Sequence, residues 1–188
     1  MNAIIVHGIP SKDEYFSDHY PSASNSHWIP WLQKQLLMRD VRTDTPEMFK
    51  AYKPDYQEWK TEFEKNAITP ETILVGHSCG GGFLLRWLSE NKKAIVNKVI
   101  LVAPWLDPDK RKGNGFFDFT IDPNLGARAG QIIVFESTND EKDIYASLKM
   151  IKRSIKNITV RTFENYGHFC YEDLGTDAFP ELLEAVLD

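Results

Sequence analysis

Thr72-Ile73-Leu74-Val75-Gly76-His77-Ser78-Cys79-Gly80, continuing into Gly81-Gly82-Phe83-Leu84, decides the fold. Thr72–Val75 is a short apolar run, as expected of a strand covered on both faces. Phe83, Leu84, Trp87 and Leu88 recur at helical spacing. Between them lies a G-x-S-x-G turn in the strand–turn–helix setting that such a turn requires. The turn strains its serine and lifts the hydroxyl above the sheet, so residues two positions away on either side must be small. The serine also meets the positive end of a helix, which favours developing negative charge. A phosphate-binding loop is excluded, because the segment lacks a Gly-Lys-Ser/Thr ending and does not fit G-x-G-x-x-G. Ser78 is therefore read as a nucleophile.

Working outward, Ala3–Val6, Lys98–Val102, Gln131–Phe135 and Thr159–Phe163 read as further strands, and Val41–Thr45 as a weaker edge strand. Helical patterns separate them. Trp28, Trp31, Leu32, Gln35 and Leu36 mark one, with Ser26 as its cap, and Asp55 caps a second that carries Trp59 and Phe63. Ile144, Leu148, Ile151 and Ile155 form another, and Phe179, Leu182, Leu183 and Val186 the last. This alternation predicts an α/β fold, with about six strands in a mostly parallel sheet and helices on both faces. The irregular stretch Ala103–Gly130 emerges beside the carboxyl ends of the strands, where an active site belongs in such a sheet.

A serine nucleophile needs a base. Of His7, His19, His27, His77 and His168, the last follows the final strand, as the order Ser, acid, His along the chain requires. His77 points away from Ser78 within the turn and is read as structural. The acid should follow the penultimate strand, and Asp140 stands a few residues beyond it, where a loop can turn its carboxylate toward His168. Asp143 is read as the cap of the next helix, Glu136 as too near the strand, and Asp107 as the less favoured alternative. An oxyanion hole needs backbone N–H donors. Cys79, directly after the nucleophile, supplies one and Ile9 the other, because Pro10 has no N–H. Trp105, Phe116 and Phe117 fall in the long loop and are candidates for an apolar acyl pocket. Cys79 and Cys170 are read as unreactive thiols, since no further His or Cys stands at metal-ligand spacing. Neither a metal nor a cofactor is called for.

Length and composition agree. At 188 residues, the chain matches one domain by the prior of roughly 150 residues per domain. The net charge of −5 offers no basic footprint for nucleic acid or anionic lipid. Two cysteines fit a reducing cytoplasm better than a secreted scaffold. The run Ala3–Val6 is broken by His7-Gly8, too soon for a secretory signal, and no stretch approaches the ~20 apolar residues of a membrane span.

With Ser78, Asp140 and His168 in place, the chain resembles the α/β-hydrolases, and more narrowly the small lidless serine hydrolases of the retinoblastoma-binding protein nine family with its YdeN-like members. Ser26-His27-Trp28-Ile29-Pro30-Trp31-Leu32 is the narrower pointer; Val75-Gly76-His77-Ser78, Ser137-Thr138-Asn139-Asp140 and Gly167-His168-Phe169 are shared more widely. The resemblance implies a Ser78–Asp140–His168 triad and a compact sheet without a lid domain. Gly80-Gly81-Gly82 is richer in glycine than such helices usually are, so a loosened first turn is expected. Hydrolysis of a small acyl ester or thioester is the expected activity. A protein-binding module on an idle hydrolase scaffold is the alternative, with the Ala103–Gly130 loop meeting a protein partner.

Overall fold

The computed structural model describes all 188 residues. Six strands form one sheet: β1 (Asn2–Val6), β2 (Arg42–Asp44), β3 (Thr72–His77), β4 (Val96–Val102), β5 (Ala129–Ser137) and β6 (Thr159–Phe163). Their order is β2-β1-β3-β4-β5-β6 and every pairing is parallel. The central strands β1, β3 and β4 are buried almost throughout, which is why they read as unbroken apolar runs rather than alternating ones. Seven helices connect or flank them: α1 (Lys12–Phe16), α2 (Ile29–Leu37), α3 (Tyr56–Phe63), α4 (Cys79–Glu90), α5 (Lys142–Ser154), α6 (Tyr171–Leu174) and α7 (Pro180–Leu187).

The strand order reverses at β1. From it the chain runs outward to β2, and from β3 it runs the other way through β4 to β6. The carboxyl ends of β1 and β3 therefore flank the crevice that a parallel sheet opens at such a reversal. Gly8-Ile9 and Ser78 follow those two ends, so the topology alone brings the loop and the turn together.

Packing around α4 corrects the expectation of a loose first turn. A Cβ on Gly80 would lie 2.3 Å from the Val6 carbonyl oxygen, and one on Gly82 would lie 2.1 Å from that of Trp105. Neither backbone atom can step aside, so the glycines let α4 press against β1 and the β4–β5 connection. The run is a tight fit, not a weakness. Beyond it, α4 buries Phe83 edge-to-face against Trp59 and Phe63, and Trp59 in turn meets the loop residue Phe116 edge-to-face. Each fully buried side chain of this size stabilises the fold by about 1.5–3 kcal/mol.

Two helix starts differ from expectation. Asp55 does cap α3, accepting from the N–H groups of Gln57 and Glu58. Ser26, however, does not cap α2, whose N-cap is Trp28 without a side-chain bond; Pro30 in its first turn removes one of the N–H groups that would need a partner. Asp143 is not a cap either. It stands in the first turn of α5 and accepts from the Trp105 indole N–H at 3.0 Å.

Candidate active site

Ser78 joins β3 to α4 with φ 51° and ψ −119°, a left-handed backbone that a residue bearing a Cβ rarely adopts. Such strain costs about 1–3 kcal/mol and persists only where surrounding structure enforces it. Here the Ser78 N–H donates to the Val102 carbonyl, and the Ser78 carbonyl accepts from the N–H groups of Gly81 and Trp105. The strand beside it and the start of α4 thus fix the turn on both sides. Cys79 opens α4, where the first N–H has no intrahelical acceptor. A Cβ placed on Gly8 would sit 3.2 Å from Ser78 Cβ, which shows how closely the β1 loop approaches the hydroxyl.

The carboxyl ends of β5 and β6 are laced together. Asn139 Oδ1 accepts from the Ser137 hydroxyl and from the Gly167 N–H, both at 2.8 Å. Ser137 Oγ accepts from the Tyr166 N–H, and Thr138 Oγ1 from that of Asn165. The Tyr145 hydroxyl accepts from the Asp140 N–H while donating to the Ser137 carbonyl. These bonds bring the Asp140 carboxylate, whose side chain is fully buried, to 3.0 Å from His168 Nδ1. The other candidate acids are engaged elsewhere. Asp107 accepts from the N–H groups of Arg111 and Lys112 in its own loop, and Glu136 is held by Lys152 and Thr162.

His168 is also gripped from behind. Its N–H donates to Asp173, and its carbonyl accepts from His77 Nε2 at 2.8 Å. Burial holds His77 well below the usual histidine range, so the ring stays neutral and keeps that donor. His7 is likewise held down by burial. Its Nε2 accepts from the Met48 N–H, which leaves Nδ1 to donate to the Gly8 carbonyl at 2.6 Å. Two histidines outside the candidate triad therefore brace, respectively, the His168 backbone and the β1 loop.

Ser78 and His168 line two cavities in common. The first, about 200 Å³, is walled by residues 7–29, with Tyr20 and His27 facing Cys170 and Glu172. The second, about 360 Å³, is lined by Ile9, Trp105 and Ile144, with Arg111 and Lys112 at its edge. Ile9 borders both. Among the three acyl-pocket candidates, only Trp105 faces Ser78. Phe116 is buried against Trp59 and Tyr56, and Phe117 packs on Trp105 and beneath Gly82. Those two rings belong to the packing that anchors the loop: the aromatic face of α3 takes up Phe116, and Phe117 packs between Phe116 and Trp105. Burial pushes the Cys79 thiol far up, in keeping with an unreactive role.

A strained serine on the elbow of a six-stranded parallel sheet, with a carboxylate-bound histidine bordering the same cavities, defines a hydrolase of the α/β class. The serine hydrolase family profile matches residues 18–187, and the chain belongs to that family. Among solved structures it is similar to the ydeN gene product from B. subtilis, at 23% identity over 99% of this chain and 96% of that one, with a TM-score of 0.78. A putative YdeN-like hydrolase from Pectobacterium atrosepticum matches at 17% identity over 98% and 88% of the two chains, with a TM-score of 0.64. Est1E from Butyrivibrio proteoclasticus matches at 17% identity over 99% and 88%, with a TM-score of 0.62. These likenesses bear on the fold. No curated protein matches the sequence. No helix is long and apolar enough to cross a membrane.

Proposed function

We propose that this hydrolase cleaves a small acyl ester or thioester through a Ser78–His168–Asp140 triad. The observation that carries the reading is the buried Asp140 carboxylate 3.0 Å from His168 Nδ1, on a ring that shares both cavities with Ser78. The carboxylate holds the proton on Nδ1, which leaves Nε2 free to act as base. Nε2 takes the Ser78 hydroxyl proton as Oγ bonds to the carbonyl carbon. Negative charge then moves to the carbonyl oxygen, where the Ile9 and Cys79 N–H groups would receive it. Collapse expels the alcohol or thiol, which leaves with the proton from His168. Water repeats the sequence on the acyl-enzyme and releases the acid. No step calls for a metal or cofactor, and the two free cysteines are compatible with action in the cytoplasm.

Ser78 Oγ forms no direct hydrogen bond with His168, an arrangement common before substrate tightens the site. The test is a fluorophosphonate probe with wild type and Ser78→Ala, beside a panel of short, long and hydroxycinnamoyl esters. A structure of Est1E with ferulic acid motivates the last of these. Wild type should label and turn over at least one ester, and Ser78→Ala should do neither. Asp140→Asn should lower kcat by roughly 10³–10⁴-fold, as loss of the orienting carboxylate does in such triads. A folded wild type that fails to label ends the proposal, and labelling without turnover favours the binding-module alternative.

A further inference from the structure

The wall of the smaller cavity holds a group of side chains that the hydrolytic reading does not use. One donor atom each from His27, Cys170 and Glu172 lies within 4.8 Å of the other two. They come from distant parts of the chain: His27 precedes α2, while Cys170 and Glu172 lie just past His168. All three line the cavity that holds Ser78. We propose that His27, Cys170 and Glu172 form an inhibitory site for a thiophilic divalent cation of the zinc type, whose binding closes that cavity.

The donor set fits such an ion. Imidazole nitrogen, thiolate and carboxylate are the three ligand types zinc accepts, and three protein ligands leave a fourth position for water. Tetrahedral ligands at about 2.0–2.3 Å from zinc stand roughly 3.3–3.8 Å apart, so the group must contract by about 1 Å. Glu172 is exposed and free to swing, its carboxylate meeting only His27 Nδ1 at 4.0 Å. His27 Nδ1 accepts from the Tyr171 N–H at 3.1 Å, so it bears no proton and has a lone pair to give; the displaced N–H is exposed to water.

Electrostatics point the same way. Burial and the carboxylates of Asp173, Glu172, Asp140 and Glu14 push the Cys170 thiol up to about 12. The carboxylates that oppose a bare thiolate attract a cation, and a thiol coordinated to the metal loses its proton to solvent. On the other side, burial lowers His27 and so favours its neutral, metal-binding form, with the carboxylates of Glu172, Glu14 and Asp173 beside it. Binding is balanced by release of one proton from Cys170, while His27 enters neutral and Glu172 ionised. Cys170 Sγ lies 3.9 Å from the His168 backbone carbonyl, and both residues line the cavity with Ser78, so an occupied site adjoins the proposed catalytic centre.

That occupancy stops catalysis rests on the proposed hydrolytic function, whereas binding itself does not. Cobalt titrated into the full-length protein should give a thiolate-to-metal charge-transfer band, absent in Cys170→Ser and displaced by zinc. Zinc should inhibit ester hydrolysis, with activity restored by chelator. His27→Gln should raise the half-inhibiting zinc concentration at least about tenfold, each variant being compared with its own zinc-free rate. No band, or a band that survives Cys170→Ser, overturns the site. Zinc inhibition unchanged in both variants places the metal on His168 instead and overturns it equally. A cobalt band in a protein that does not react with fluorophosphonate leaves the metal site standing and removes the hydrolase reading.

Discussion

Two connections leave inner strands of the sheet at the same edge, and they serve the cavity differently. Residues 8–28, between β1 and α2, include a five-residue helix with no buried side chain, yet they wall most of the smaller cavity. The β4–β5 connection is of similar length and rich in aromatic residues, yet it turns Phe116 into the core and offers the larger cavity Trp105, Arg111 and Lys112. Nearness to the strand reversal between β1 and β3 therefore matters more than loop length or aromatic content in deciding what faces Ser78. The first connection is fixed by polar bonds such as that from His7 to the Gly8 carbonyl, the second by buried rings.

That contrast can be broken most sharply at Phe116. Phe116→Ala should cost about 3–5 kcal/mol of stability. Its Tm should fall by roughly 6–20 °C, while kcat in the folded protein at low temperature stays near wild type. A large loss of kcat with little change in Tm would return Phe116 to the pocket. Next in size is Ile9→Pro, which removes one N–H from the first connection. A loss of 10²–10³-fold in kcat is expected, as for other oxyanion donors, with Ile9→Ala retaining activity within a few-fold. Equal activity in the two variants would show that the β1 loop supplies no donor through Ile9.

Acid provides the mildest probe. His7, His27 and His77 border the first connection, and burial lowers all three from 6.5, whereas residues 103–130 contain no histidine. A histidine lowered on folding binds fewer protons native than unfolded, so stability should be full above pH 6.5 and decline as pH falls below it. Each of the buried pair His7 and His77 contributes up to about 1.4 kcal/mol per pH unit in that window. Denaturant unfolding from pH 7 to 5 measures the slope, which His7→Gln or His77→Gln should reduce. Unchanged slopes in both variants would mean that the two connections respond to acid alike.

Much of this was legible in the residues. Nearly unbroken apolar runs marked four strands, because strands covered on both faces cannot alternate, and the positions of Asp140 and His168 after β5 and β6 made them the candidate acid and base. Other features were hidden for definable reasons. α1 buries nothing and so shows no hydrophobic period, and the Ser11/Glu14 capping box that starts it went unread. α6 is four residues long. The lacing through Asn139 leaves no pattern along a single strand, since its partners lie across β5 and β6. The roles of Phe116 and Phe117 were misread because composition says that a loop is aromatic, not which way its rings turn. Gly80 and Gly82 looked like excess flexibility because the backbone pressed against them is remote in sequence.

The bonds between the ends of β5 and β6 have one more consequence. They hold the imidazole and its carboxylate as a unit on one flank of the sheet, whereas the serine hydroxyl rides on β3, with β4 standing between it and β5. Any twisting of the sheet between β3 and β5 would change the gap from hydroxyl to ring while leaving the ring and its acid in register. In the proposed triad, slow breathing of the sheet would therefore alter the reach of the attacking oxygen and not the strength of the base.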